Sequence, residues 1–342
     1  MEKYKVFRRG GVAVLASIVA AGLAVGASAQ QITLKIGHPL SPKTGLQVWA
    51  EYLHEGIEKR APGKFKVQIF PASQLGAIPR MVEGAQLGTI EMIEVPPAFL
   101  SGVDSRFSVF AAPGIFDDIA HGQRTAHDPE FKKAFWSIGE AKGLKMVGMT
   151  CDAPSDYSST TPIRKIADFR GLKLRVFGSK LEIETLRRLG ATGVPMPLVE
   201  VISSIQRKAI DGNKAGITVF VPFKYQTVAK YVLKAKESII CVTKFASKIW
   251  YDRLPRDLQQ VIMAAGEEAD ARVLPWTEAL IERLYKIWVK TGGELNEFSP
   301  SEQAELRRRL STVGDDVLKS RPAAYNVYKI MKAAAERTRH KM

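Results

Sequence analysis

Along this chain apolar residues recur first at every second position and then at every third or fourth, and the two periods keep exchanging. Ile32, Leu34 and Ile36 alternate with Thr33 and Lys35, the pattern of a strand with one buried face. Leu46, Trp49, Ala50, Leu53 and Ile57 then share one face of a helix. Phe65, Val67 and Ile69 alternate again as far as Pro71, which has no N–H to continue a ladder. A helix is predicted around Arg80–Leu87, closed by Gly88, and a strand over Ile90–Val95. The exchange continues with a helix near Phe131–Ile138, strands over Leu144–Cys151 and Leu172–Val176, and a helix over Leu181–Leu189 closed by Gly190. A short strand, Val194–Met196, leads through Pro197 into a helix from Leu198 to Lys208. Strands and helices in this order predict α/β architecture with largely parallel sheets.

The last third reads differently. From Pro255 onward Leu258, Val261, Ile262, Ala265, Ala269, Val273, Trp276, Leu280, Leu284 and Trp288 hold a helical period. Pro275 lies inside that run and should kink or divide it. A helix of this length outgrows a small domain, so it is expected to span two lobes. More helix is predicted over Ser301–Leu310 and Ala323–Arg337, with no internal repeat and no low-complexity linker.

The N-terminus changes the picture of where the chain works. Lys3, Lys5, Arg8 and Arg9 form a positive head, Val12 to Val25 is apolar or small, and Ala27-Ser28-Ala29 supplies small residues at an exit. Together these read as a secretory signal peptide cut after Ala29. The apolar stretch is shorter than the ~20 residues of a spanning helix, which argues against a retained anchor. No cysteine near the cut suggests a lipid-modified terminus, and Gly10 and Gly11 fit a twin-arginine signal poorly. No later segment has the apolar length of a membrane helix, so a soluble exported protein is expected.

Charge narrows the partners. Loss of residues 1–29 removes four positive charges and one negative, leaving +12 of the +15. Such a balance invites a nucleic-acid reading, but lysine and arginine are scattered with aspartate and glutamate between them. The dense Arg307-Arg308-Arg309 run reads as a solvated helix face. An exported basic chain suits anionic small molecules, whose encounter a positive field accelerates; nucleic acid is not expected as a partner. Catalytic chemistry finds no foothold: there is no GxSxG elbow, phosphate-cradling glycine loop or HExxH. His121 and His127 with Asp117, Asp118 and Asp128 read as a solvated polar loop, not a metal site. No cofactor and no metal are expected. Cys151 and Cys241 have no CxxC or metal spacing, and export would permit a disulfide.

Three stretches, in order, resemble the substrate-binding subunits of TRAP transporters, the DctP family. Phe70-Pro71-Ala72-Ser73-Gln74-Leu75-Gly76, followed by a helix and Gly88-Thr89-Ile90-Glu91-Met92, is similar to the family's first motif. Asp168-Phe169-Arg170-Gly171-Leu172-Lys173-Leu174-Arg175-Val176 matches its second. Val194-Pro195-Met196-Pro197 with Glu200-Val201, Gln206 and Ala209-Ile210-Asp211-Gly212 matches its third, and Leu254-Pro255-Arg256-Asp257-Leu258-Gln259 adds a fourth. The resemblance runs from about residue 32 to 300.

It implies a two-lobed periplasmic clamp with a long bracing helix, the ligand held in the cleft between lobes. Lobe I is expected over 30–152 plus 241–280 and lobe II over 153–240 plus 281–342. The partners implied are a small-molecule carboxylate and the small and large membrane subunits of the transporter. A binding protein for an ATP-driven importer or a sensor kinase, and an exported enzyme acting on an anion, stay as rival readings. The crossings between lobes should fall near 150–153 and 238–242, where Cys151 and Cys241 lie. A hinge disulfide is one reading there; two buried free thiols is the favoured alternative.

Arg175 is the leading site residue. A charge between Leu174 and Val176 in mid-strand is costly unless paired; the residues alone leave open an edge-strand arginine in solvent, a local pair with Asp168, or a ligand anchor. The resemblance places the family's carboxylate-binding arginine here, and a planar two-pronged cation suits that task. Departures from the sialic-acid-binding branch are informative. Its second arginine becomes Ser155 and its ligand-contacting asparagine Ala215, and the aromatic that often follows Pro-x-Pro in the third motif becomes Leu198. Acidic cleft positions become Ile78-Pro79 and Pro96. With Gln74, Ser179 and Asn213, these are the residues expected at the cleft, and together they suggest a smaller or more apolar carboxylate than a sugar acid.

Overall fold

The computed structural model describes residues 31–339; the expected leader lies outside them. Strand β1 (Ile32–Gly37) pairs in parallel with β2 (Phe65–Phe70) on one side and β3 (Met92–Val95) on the other. The Gly45–Arg60 helix between β1 and β2 buries Leu46, Trp49, Ala50, Leu53 and Ile57, the face its period marked. Strand β4 (Leu144–Pro154) then leaves this sheet. A second sheet takes up β5 (Asp156–Ser159), β6 (Lys173–Val176), β7 (Thr192–Pro195), β8 (Gly212–Ala215) and β9 (Tyr231–Leu233). Strand β10 (Ile239–Ser247) returns between β3 and β4, and β11 (Glu294–Asn296) closes the far edge of the second sheet. The orders are β2-β1-β3-β10-β4 and β11-β9-β5-β8-β6-β7.

The architecture is α/β and two-lobed, as expected, but the sheets are mixed. β10 runs antiparallel to both β3 and β4, and β5 antiparallel to β8 and β9. A chain that returns through the gap by which it left must run the opposite way, so the crossing strand reverses the ladder. Gly88 and Gly190 end their helices at φ 79° and 89°, a left-handed conformation that costs glycine nothing. The helix expected from Leu198 to Lys208 is shorter: one 3₁₀ turn precedes Val201–Gln206, and Lys208 takes φ 59°.

The long helix spans Arg256–Lys290 and is one helix through Pro275, so of the kink or division expected there the division does not occur. Pro275 and Ala271 are both exposed, so the carbonyl left without its N–H partner lies on the solvent side. Its first half buries Leu258, Ile262, Ala265, Ala269 and Val273 against Trp49, Ala50 and Leu53. Its second half buries Leu280, Ile281, Leu284 and Trp288, with Phe220 of the second lobe 6.2 Å from Trp288 ring to ring. Bracing of both lobes follows from that division.

The helices of the tail pack in two places. Helices Pro300–Leu310 and Val313–Leu318 pack on the Lys180–Leu189 helix, but Pro322–Thr338 packs on the 105–136 segment of the first lobe. Arg337 Nη2 reaches Asp128 at 2.7 Å. The His121 region is corrected too: it is a helix, Ile119–Ala126, capped by Asp118, not a solvated loop. His121 is buried, donating from Nε2 to the Ala335 carbonyl at 2.8 Å while Nδ1 accepts from the Asp117 amide. No three metal-binding side chains gather among the described residues, and no described helix is long and apolar enough to cross a membrane.

Candidate functional site

Strand β6 is paired on both sides, with Arg175 opposite Val194 of β7 and Asn213 of β8. The edge-strand reading of Arg175 therefore fails, and its side chain is 1% exposed. The local pair with Asp168 fails as well, because that carboxylate accepts from the Arg164 and Lys165 amides. Arg175 Nε donates to the Met196 carbonyl at 2.9 Å and Nη1 reaches Asn213 Oδ1 at 3.4 Å. Nη2 has no partner among the described residues. Phe99 and Phe177 flank the guanidinium, their ring centres 5.5 and 4.8 Å from its carbon. Burial pulls its pKa down to about 10, against the opposing pull of Tyr225 and Glu182, so it stays cationic at neutral pH.

Arg175 lines a narrow cavity of about 30 Å³ between the lobes. Leu40, Leu46, Ile78, Pro96 and Phe99 come from the first lobe, Phe177, Leu198 and Val219 from the second, and Ile240 and Val242 from β10. The remaining polar side chains of the lining are Asp152 at the end of β4 and Thr218. This volume holds a water or two, far short of the several hundred Å³ of a ligand pocket. A ligand enters only when the walls part, and the walls belong to different lobes. Gly216 also lines the cavity, and a Cβ there would overlap that of Ala153, so glycine sets the close approach of the end of β8 to β4.

The expected residues divide. Arg175, Pro96 and Leu198 line the cavity, and Asn213 stands behind the guanidinium. Ala215 is buried opposite Asp156 on β5 and leaves the lining to its neighbour Gly216. Ser155 is buried in the link between β4 and β5, its amide donating to Ser238 at 2.9 Å; it does not reach the lining. Gln74 is exposed on the loop after β2 and is not part of the cavity, because the turn that follows Pro71 points it outward. Ser179 is occupied as a helix cap: its hydroxyl accepts from the Glu182 amide while Glu182 accepts from Ser179 N.

Among the lining residues that went unread in the sequence are Phe99, Phe177, Asp152 and Thr218. Phe177 had a signal, since it lies two residues past Arg175 and an extended chain puts both on one face. The others come from separate elements. Next to the cavity, Lys214 is buried with Nζ 3.0 Å from Glu237 and 3.8 Å from Glu182. Tyr157 Oη donates to Glu237 at 3.1 Å. This cluster sets one cation between two carboxylates and leaves Arg175 as the one cation of the lining.

A family model described as bacterial extracellular solute-binding protein, family 7 (DctP), matches residues 36–320. The C4-dicarboxylate-binding periplasmic protein DctP of Rhodobacter capsulatus is 27% identical over 329 residues, 95% of this chain and 98% of that protein. The 2,3-diketo-L-gulonate-binding periplasmic protein YiaO of Escherichia coli is 26% identical over 238 residues, 69% and 72%. A TRAP periplasmic solute-binding protein from Desulfovibrio salexigens, solved with orotic acid, superposes with a TM-score of 0.85 at 24% identity, covering 90% of this chain and all of that one. That likeness speaks for the fold.

Proposed function

This chain belongs to family 7 of the bacterial extracellular solute-binding proteins, the DctP family, and from that premise we propose that it captures an apolar or aromatic monocarboxylate for a TRAP transporter. In this reading a leader ending at Ala29 exports it to the periplasm, and it passes the acid to the small and large membrane subunits without catalysis. We place lobe I at 30–152 plus 241–280, joined by the last helix, and lobe II at 153–240 plus 281–320.

One observation carries the reading: a single buried guanidinium, with Nη2 unpartnered, in an otherwise largely apolar cavity wall. A buried arginine prong without a partner is costly, and a carboxylate matches its geometry. Relatives named for C4-dicarboxylates and diketogulonate share the acid group. The apolar wall separates this chain from a sugar-acid site, because each hydroxyl left dry and unmatched costs about 1–3 kcal/mol.

The test is a thermal-shift panel on the mature chain, alongside mass spectrometry of whatever acid co-purifies. A ligand at about 100 times its dissociation constant adds roughly 2.7 kcal/mol, a readable shift. The largest shift should come from a monocarboxylate with an apolar body. A stronger shift from a uronic, aldonic or sialic acid, or none from any carboxylate, overturns the proposal.

A further inference from the structure

We propose that Asp152, held by Thr218, is a second polar anchor of the cleft and selects acids that carry one hydrogen-bond donor besides the carboxylate. This rests on the reading of Arg175 as the carboxylate anchor, and deepens it.

Asp152 is buried, lines the same cavity as Arg175, and accepts from Thr218 Oγ1 through Oδ2 at 2.6 Å. Its Oδ1 has no partner among the described residues. Lys244, the buried cation whose charge acts on it, donates instead to Thr150 and to the Val242 carbonyl. A carboxylate oxygen out of water and unmatched is more expensive than an apolar side chain of the same size. Gly45 packs close to that oxygen: a Cβ there would sit 3.2 Å from Oδ1 and 2.9 Å from Thr277 Oγ1, so only a residue without a side chain fits beside it.

Two residues of the lining thus carry unmatched groups of opposite kind, a permanent donor in Arg175 Nη2 and an acceptor in Asp152 Oδ1, in a wall whose only other polar side chain is Thr218. A molecule satisfying both has a carboxylate at one end, an apolar body and one hydroxyl or N–H. Burial raises the Asp152 carboxyl's pKa, opposed by the Thr218 bond and by Lys244; a donor from the ligand favours the ionised form. Several hydroxyls would exceed the single acceptor, which keeps this preference distinct from sugar-acid binding.

The experiment is calorimetry on the mature chain with branched and aromatic monocarboxylates, each paired with counterparts hydroxylated or aminated at C2, C3 or the ring. In the wild type at least one donor-bearing acid should bind roughly 10- to 100-fold more tightly than its parent, the worth of one hydrogen bond to a charged group. Asp152→Ala should bring that ratio within about twofold while the parent acid still binds. Asp152→Asn, which keeps the shape and one acceptor oxygen, should fall between and guards against a folding defect. Arg175→Ala should weaken parent and counterpart alike. Equal wild-type binding of every pair, or a preference that survives Asp152→Ala, overturns the inference and leaves the carboxylate reading standing. Failure of every carboxylate to bind removes both.

Discussion

Arg175 draws its force from the strand around it. Leu174 and Val176 face the packed side of β6 and are fully buried, so the intervening side chain must emerge on the cavity side. Its Nε and Nη1 are spent on Met196 and Asn213, which fixes the plane of the guanidinium before any ligand arrives. Arg175→Ala should weaken binding of the identified acid by about 2–5 kcal/mol, the range for stripping one partner from a buried charge pair, or roughly 25-fold to several thousand-fold. Arg175→Lys should recover only part, since an ammonium lacks the second prong. Calorimetry decides it, and a loss under about threefold in a folded alanine variant would sink the assignment. A charge in mid-strand was legible in the sequence as an anomaly. Phe99 and Asp152, which share its cavity, were not, because they arrive from elements dozens of residues away.

Among the elements, β5 shows how the second lobe is tied to the brace. Asp156 opens this strand, is buried, and accepts from Tyr285 of the long helix at 2.5 Å. Burial pushes its pKa up to about 7, outweighing the Tyr285 bond and the positive Lys234 and Lys236. The folded chain therefore keeps this proton at a pH where the unfolded chain has lost it. Its stabilising contribution is complete below the unfolded value near 4 and is lost as pH rises through 7. Asp156→Asn keeps the shape and an acceptor for Tyr285 but cannot ionise. Its melting midpoint should gain on the wild type between pH 5 and pH 8, and parallel pH profiles for the two proteins would refute the coupling. Strand β5 itself escaped a sequence reading: four residues, Asp-Tyr-Ser-Ser, all buried, show no alternation of apolar and polar to detect.

For the whole molecule the decisive feature is the pair of crossing strands. Cys151 and Cys241 stand opposite each other in the antiparallel β4–β10 register and are bonded, which corrects the expectation of two free thiols. The bond closes a chain segment with a separation of 90 residues that contains β5 to β9. In the chain-entropy account a loop of that length is worth about 4–5 kcal/mol, through restriction of the unfolded chain. Thiol titration of unfolded, unreduced protein should find none, and reduction should free two and lower the melting temperature. Two thiols without reductant would rule the bond out. The bond sits where both strands pass between the lobes and ties them to each other there.

The sequence by itself determined the alternation of strands and helices, the glycine stops, the long helix, the family and the arginine, because each depends on local period or on a short ordered motif. It also marked Leu198 and Pro96 as apolar cleft positions. Tertiary structure alone decided the rest. Which face of the long helix meets water determines whether Pro275 breaks it, and that is known only once both lobes are packed. The same is true of the antiparallel β10, whose buried run carries no alternation, and of the last helix, which returns to the first lobe to bury Tyr328 and Met331. The cysteine bond depends on a register between strands far apart in the chain. Gln74 and Ser179 fell out of the site because a turn and a helix cap, both sensitive to backbone geometry, direct their polar atoms elsewhere. Asp152 entered it because folding buries one of its oxygens beside Thr218 and leaves the other unmatched.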